Sequence, residues 1–140
     1  MGKINVGRVV MGGLLAGLIV NVSEFILNGV VFAKEMEDAM KALNRPAMDN
    51  SMIVWFTVFG FALGIVTVWL YAAIRPRFGP GQKTAAFAAL VVWVLAYLYP
   101  SAFIGVMQLF SAKLMVIGAL WGLPEIVIAT VAGAKFYTEA

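Results

Sequence analysis

Two glutamates stand in the least favourable places for a charge. Glu24, in NVSEFILN, is the sole charged residue between Arg8 and Lys34, and Glu125, in WGLPEIV, the sole one between Lys113 and Lys135. A carboxylate in the middle of a hydrocarbon layer costs at least about 2–3 kcal/mol even on lenient insertion scales, so it faces protein or water and has a partner. Asn21 and Asn28 lie one helical turn before and after Glu24. No lysine or arginine lies in any apolar run of the chain to neutralise either glutamate. Two carboxyl groups brought together in low dielectric cannot both stay ionised. Such a pair holds a proton, or a cation that replaces it.

The elements that must position these residues are apolar runs. Hydrophobic residues make up 63% of the 140 and charged residues 12%, far from the balance of a soluble domain. Mean hydropathy is +0.95. Four runs carry this excess: residues 9–32, 52–74, 84–110 and 114–134. Each has about the 20 residues that a helix needs to cross the hydrocarbon core, and none shows the short alternating segments of a β-barrel. The first run is too long for the apolar core of a cleaved signal peptide. The expected fold is all-α: a single transmembrane domain, 1–140, of four helices in a compact bundle. A short amphipathic helix follows the first span at about 33–45, where Ala33, Met36, Met40 and Leu43 fall on one face and Glu37 pairs with Lys41. Asn44 and Pro46 should end it. Asp49 or Ser51 should cap the second span.

Each run carries a stripe of small and polar residues. They are Gly13, Gly17, Asn21, Glu24 and Asn28; Thr57, Gly60, Gly64, Thr67 and Tyr71; Tyr97, Ser101, Gly105 and Gln108; and Gly118, Gly122, Glu125, Ala129 and Ala132. In lipid, helices associate through close packing of small residues and hydrogen bonds between polar ones, so the stripes should face one another. From the same side of the membrane, Glu24, Ser101 and Glu125 lie at depths of about 12, 14 and 17 Å, at 1.5 Å per residue. They can therefore form one layer with Asn21, Asn28 and Tyr97. Pro100 and Pro124 deprive the carbonyls of Ala96 and Leu120 of their helical donors, adding acceptors near that layer. Trp93, Tyr97, Tyr99 and Trp121 offer ring faces to an organic cation.

Charge sets the orientation. The loop IRPRFGPGQK carries Arg75, Arg77 and Lys83 and no acid, and short basic loops stay cytoplasmic. With four spans, both termini are then cytoplasmic, and the pI of 9.4 reflects membrane flanks rather than a nucleic-acid surface.

The chain has no cysteine and no histidine. Disulfides, Cys/His metal centres and triads built on either residue are excluded, no cofactor is expected, and nothing marks an enzyme. The expected function is a proton- or cation-coupled transporter or channel-like protein, with Glu24, Glu125, Asn21, Asn28, Ser101 and Tyr97 as the binding layer. The alternative is a non-catalytic accessory or assembly subunit of a larger membrane complex, docking through the 35–43 segment. Four short helices leave little room for a private cavity, so a homo-oligomer or a partner is expected to complete the site within the lipid bilayer.

FILNGVVFAKEMEDAMKAL, the basic turn IRPRFGPGQKTA and the last span with WGLPE resemble small bacterial four-span membrane proteins of unknown function. The resemblance covers nearly the whole chain. It implies the cytoplasmic (inner) membrane of a bacterium and brings no activity with it.

Overall fold

The structure is a computed structural model that describes residues 2–140. The described residues form five helices and no strand: α1 (Val6–Val31), α2 (Ala33–Ala42), α3 (Asn50–Phe78), α4 (Gln82–Val106) and α5 (Ala112–Ala134). All but α2 are long and apolar enough to cross a membrane.

Short polar signals set the helix ends. Asn5 Oδ1 accepts the Arg8 N–H at 3.1 Å, Asp49 Oδ1 that of Met52 at 2.9 Å, and Ser111 Oγ that of Leu114 at 3.3 Å. Each is an N-cap that satisfies a donor the helix leaves free. The apolar run ends at Ile74, yet α3 continues to Phe78 with Arg75 and Arg77 in its last turn, where basic side chains suit the helix C-terminus. It stops at Gly79, whose φ of 84° favours glycine. The basic turn thus shrinks to Gly79–Gly81, tied down by the Gly81 N–H donating to the Tyr71 hydroxyl (3.2 Å) and Thr84 Oγ1 donating to the Gly79 carbonyl (2.7 Å). α4 departs the other way. It ends at Val106 rather than Phe110, closed by Gln108 with φ 56°.

Phe32 separates α2 from α1 with φ −108° and ψ 20°, and Asn44, φ 53°, ends it. The half-buried face of this segment is Met36, Ala39, Met40 and Leu43; Ala33, expected on the stripe, is exposed. On the outer face Lys41 Nζ meets Glu37 Oε1 at 2.6 Å. That hydrogen bond holds the Glu37 carboxyl below its usual range and the Lys41 ammonium above its own. The pair is therefore intact at neutral pH and is lost as pH falls through the lowered Glu37 value or rises through the raised Lys41 value.

The four long helices close a ring in the order α1, α3, α4, α5, with α5 back against α1. The α1–α3 seam is backbone against backbone. A Cβ on Gly64 would strike the backbone of Gly13 and Gly17, and one on Gly17 that of Phe61. Gly12 and Gly133 make the same approach between α1 and α5. Such contact is dispersion gained at short range, the kind that holds helices together where burial from water does not. Val9, Tyr71, Ala72, Ala85 and Ala88 are buried together toward the end holding both termini, and Ala16, Val68, Ala89, Ile126 and Ala129 form the next layer. Between the latter, the hydroxyls of Thr67 and Thr130 stand 3.3 Å apart. The C-terminal segment tucks beneath: Tyr137 packs edge-on to Tyr71, under the Arg75 guanidinium, which lies 3.3 Å from Glu139.

Toward the far end the packing opens. α3 has no buried residue from Asn50 to Phe59, and α4 none from Trp93 to Val106.

A Gly64→Ala substitution should cost about 1–3 kcal/mol of stability, since backbone must move to admit the methyl group. Gly118→Ala meets nothing within 4 Å and should be neutral or gain up to about 1 kcal/mol from helix propensity. Unfolding of the two variants in detergent checks both; equal stability would contradict the packed seam.

Candidate functional site

The open half encloses a cavity of about 610 Å³. Phe25, Phe32, Phe56 and Phe59 supply much of its wall, with Met36 and Met48 at the end near α2. Among these apolar groups stand Asn21, Glu24 and Asn28 of α1, Thr57 of α3, and Tyr97 and Ser101 of α4. Little room for a private cavity was expected, yet the four helices leave this one. α3 packs on the first half of α4, Gln82–Trp93, and the two part beyond it, so the space opens between them.

Glu24 faces this cavity. Glu125, on α5, is 5% exposed and lies behind the wall rather than on it. The two carboxyl groups are near neighbours, close enough to influence one another's charge. Two carboxylates only accept, so a bond between them forms when one carries a proton. The remaining bonds are set by neighbours. Asn28 Nδ2 donates to Glu24 Oε2 at 2.6 Å, and lies 3.2 Å from the Glu24 carbonyl oxygen. The Tyr97 hydroxyl donates to Glu125 Oε1 at 2.7 Å. Glu125 Oε2 is buried with no hydrogen bond among the described residues, although Ser23 and Glu24 stand close by. Asn21 Nδ2 donates to the Thr57 carbonyl at 3.1 Å, bridging α1 to α3. Ser101 lines the cavity. Five of the six expected residues thus share one cavity, with the sixth directly behind.

Two widened turns frame it. Leu27–Val31 of α1 and Val94–Leu98 of α4 are π-helical, and π turns of this kind cluster at functional sites. The second precedes Pro100, whose ring cannot sit against the carbonyl four residues back in a regular α-helix. The extra residue, with the early end of α4, also carries Gly105 and Gln108 away from the Tyr97–Ser101 face. They line a separate surface dent beside Glu35 and Asp38.

The aromatic wall differs from expectation. Of Trp93, Tyr97, Tyr99 and Trp121, Tyr97 alone lines the cavity. Tyr99 is 67% exposed. Trp93 Nε1 donates to the Ala119 carbonyl at 2.8 Å, one residue before the Leu120 carbonyl that Pro124 deprives of its helical donor. Trp121 Nε1 donates to Ser23 Oγ at 2.8 Å. The phenylalanines of α1 and α3 take the place of these rings.

Two residue roles were not expected from spacing alone. Gly122 lies directly against the Tyr97 ring, where a Cβ would collide, and so lets the phenol reach Glu125. Gly60 does the same for the Asn21 amide. Both glycines stood in the small-residue stripes, but which partner each admits depends on rotation between helices. Ser23, next to Glu24 in sequence, gave no spacing signal at all.

Removing the Tyr97 hydroxyl leaves both oxygens of a buried carboxyl without a donor. Tyr97→Phe should therefore lower stability by about 1–3 kcal/mol, read from unfolding in detergent; an unchanged midpoint would rule out this bond. No protein-family model, curated protein or solved structure matches the chain.

Proposed function

We propose that this chain is a multi-pass protein of the bacterial cytoplasmic membrane, crossed by α1, α3, α4 and α5 with both termini in the cytoplasm. In this reading it is a proton- or cation-coupled transporter or channel-like protein, and Glu24 with Glu125 is its binding centre. The observation that carries the reading is the incomplete shell of Glu125. Its Oε2 is buried without a hydrogen bond among the described residues, near the Ser23 hydroxyl and a second carboxyl group, with no lysine or arginine in the apolar runs. A proton on either carboxyl supplies the missing bond. An unpaired charge in such a place is strongly disfavoured, so neutral occupancies dominate. The pair with two protons is neutral, and so is the pair with one proton and one monovalent cation. Uptake of a cation at Glu24 then releases one proton, which is the elementary step of exchange. Asn28 and Tyr97 hold the two carboxyls in place, while Asn21 and Ser101 add polar atoms to the cavity.

A second reading is a non-catalytic accessory subunit. α3 and the second half of α4 stand apart, and a helix of a partner chain would cover that gap. Native mass spectrometry of mildly extracted material separates the two: a stoichiometric foreign subunit favours the accessory role, and a monomer or homo-oligomer the transporter.

Glu24→Gln and Glu125→Gln should each lower proton-coupled cation flux in proteoliposomes at least tenfold. Flux at the wild-type rate in the folded double variant would remove the carboxylate pair from the mechanism.

A further inference from the structure

We infer that the cavity takes a monovalent organic cation with a hydrophobic body, whose charge pairs with Glu24, rather than an inorganic ion. The inference rests on the carboxylate-pair reading above and assigns its substrate class. Three observations converge. The first is size: about 610 Å³ lies within the range of pockets that enclose small organic molecules and far exceeds what one ion needs.

The second is lining. An inorganic divalent ion needs a shell of six or more oxygens, and among the described residues no three acidic side chains gather to start one. The cavity that Glu24 lines is instead walled in part by Phe25, Phe32, Phe56, Phe59, Met36 and Met48. A single carboxyl group at one wall, with aromatic rings and thioethers on the others, matches a charged centre inside an apolar shell. Rings attract such a centre through their faces, and methionines adapt to its shape. Neither Lys nor Arg lines the cavity to compete for Glu24 or repel the ligand.

The third is access. The outer half of α3 and the second half of α4 stand apart, and Ile53 of the one and Ile104 of the other line the cavity between them, so we assign its mouth to this gap. In a bilayer this mouth meets hydrocarbon, through which a hydrophobic cation travels and a hydrated ion does not.

The test uses tetraphenylphosphonium as ligand and tetraphenylborate, of the same shape and opposite charge, as control. Binding to the purified full chain in detergent is measured by equilibrium dialysis, with pH recorded in weakly buffered solution. Saturable binding of the cation, at least tenfold weaker in Glu24→Gln and in the mouth-blocking Ile53→Trp, with no saturable binding of the anion, is the expected result. Ile53 is 46% exposed, so that variant tests the cavity without touching the carboxylates. Equal binding of both ions, or cation binding indifferent to both substitutions, would mean mere partition into apolar surface and would overturn the inference. Failure of the cation to bind a chain that still shows Glu24-dependent flux of sodium or potassium would also overturn it while leaving the carboxylate reading intact. Binding that depends on Glu24 without proton release would uphold the substrate class and refute the exchange.

Discussion

A carboxyl group withdrawn from water needs a donor for each oxygen, a proton, or a cation. Among the described residues Glu125 has a hydrogen bond at one oxygen alone, with the Ser23 hydroxyl close by, and the neighbouring helices meet about that carboxyl. Tyr97 reaches it from α4, over a glycine that makes room for the ring. Glu24 stands beside it from α1, itself held by Asn28 one turn on. Three helices therefore meet at one polar point, and α3 is joined to them through the Asn21–Thr57 bond. Loss of a donor in such a network costs more than an average surface bond because the dielectric is low.

The other half of the molecule makes this tolerable. Between the helix termini and the carboxyl layer, α1 approaches α3 and α5 at glycines, and alanines fill the centre of the bundle. Close packing there sets the rotation and height of each helix, which is what places Glu24 and Glu125 side by side. The tucked C-terminal segment, with Tyr137 against Tyr71 and Arg75 beside Glu139, ties α3 to the chain end on the same side. One end is thus rigid and filled, while the other, where α3 and α4 diverge, is hollow. The two π turns lie toward the hollow end; the second has no buried residue, while Leu27 of the first packs with Phe32 and Leu114.

The proposed exchange follows from that division. A cation entering sideways meets Glu24 first, because Glu125 is behind the cavity wall. The inner carboxyl is then suited to keep a proton and the outer to trade one. The difference arises from position relative to the cavity and not from residue type, since both are glutamates.

The sequence by itself determined four apolar helices, a cap for the second span at Asp49 or Ser51, the amphipathic α2, and two isolated carboxyl groups at similar height. These follow from local properties: run length, hydropathy, short polar caps and rise per residue. It did not determine that Glu125 lies behind Glu24, that Tyr97 alone of the four expected rings lines the cavity, or that α3 and α4 part to leave a cavity. Those depend on helix rotation and on two π turns, and each π turn shifts every later residue around its axis. Gly122 shows the difference most plainly. Its small size was legible as a packing seam, but that it admits the Tyr97 ring, and so completes the bond to Glu125, was decided when α4 and α5 came together.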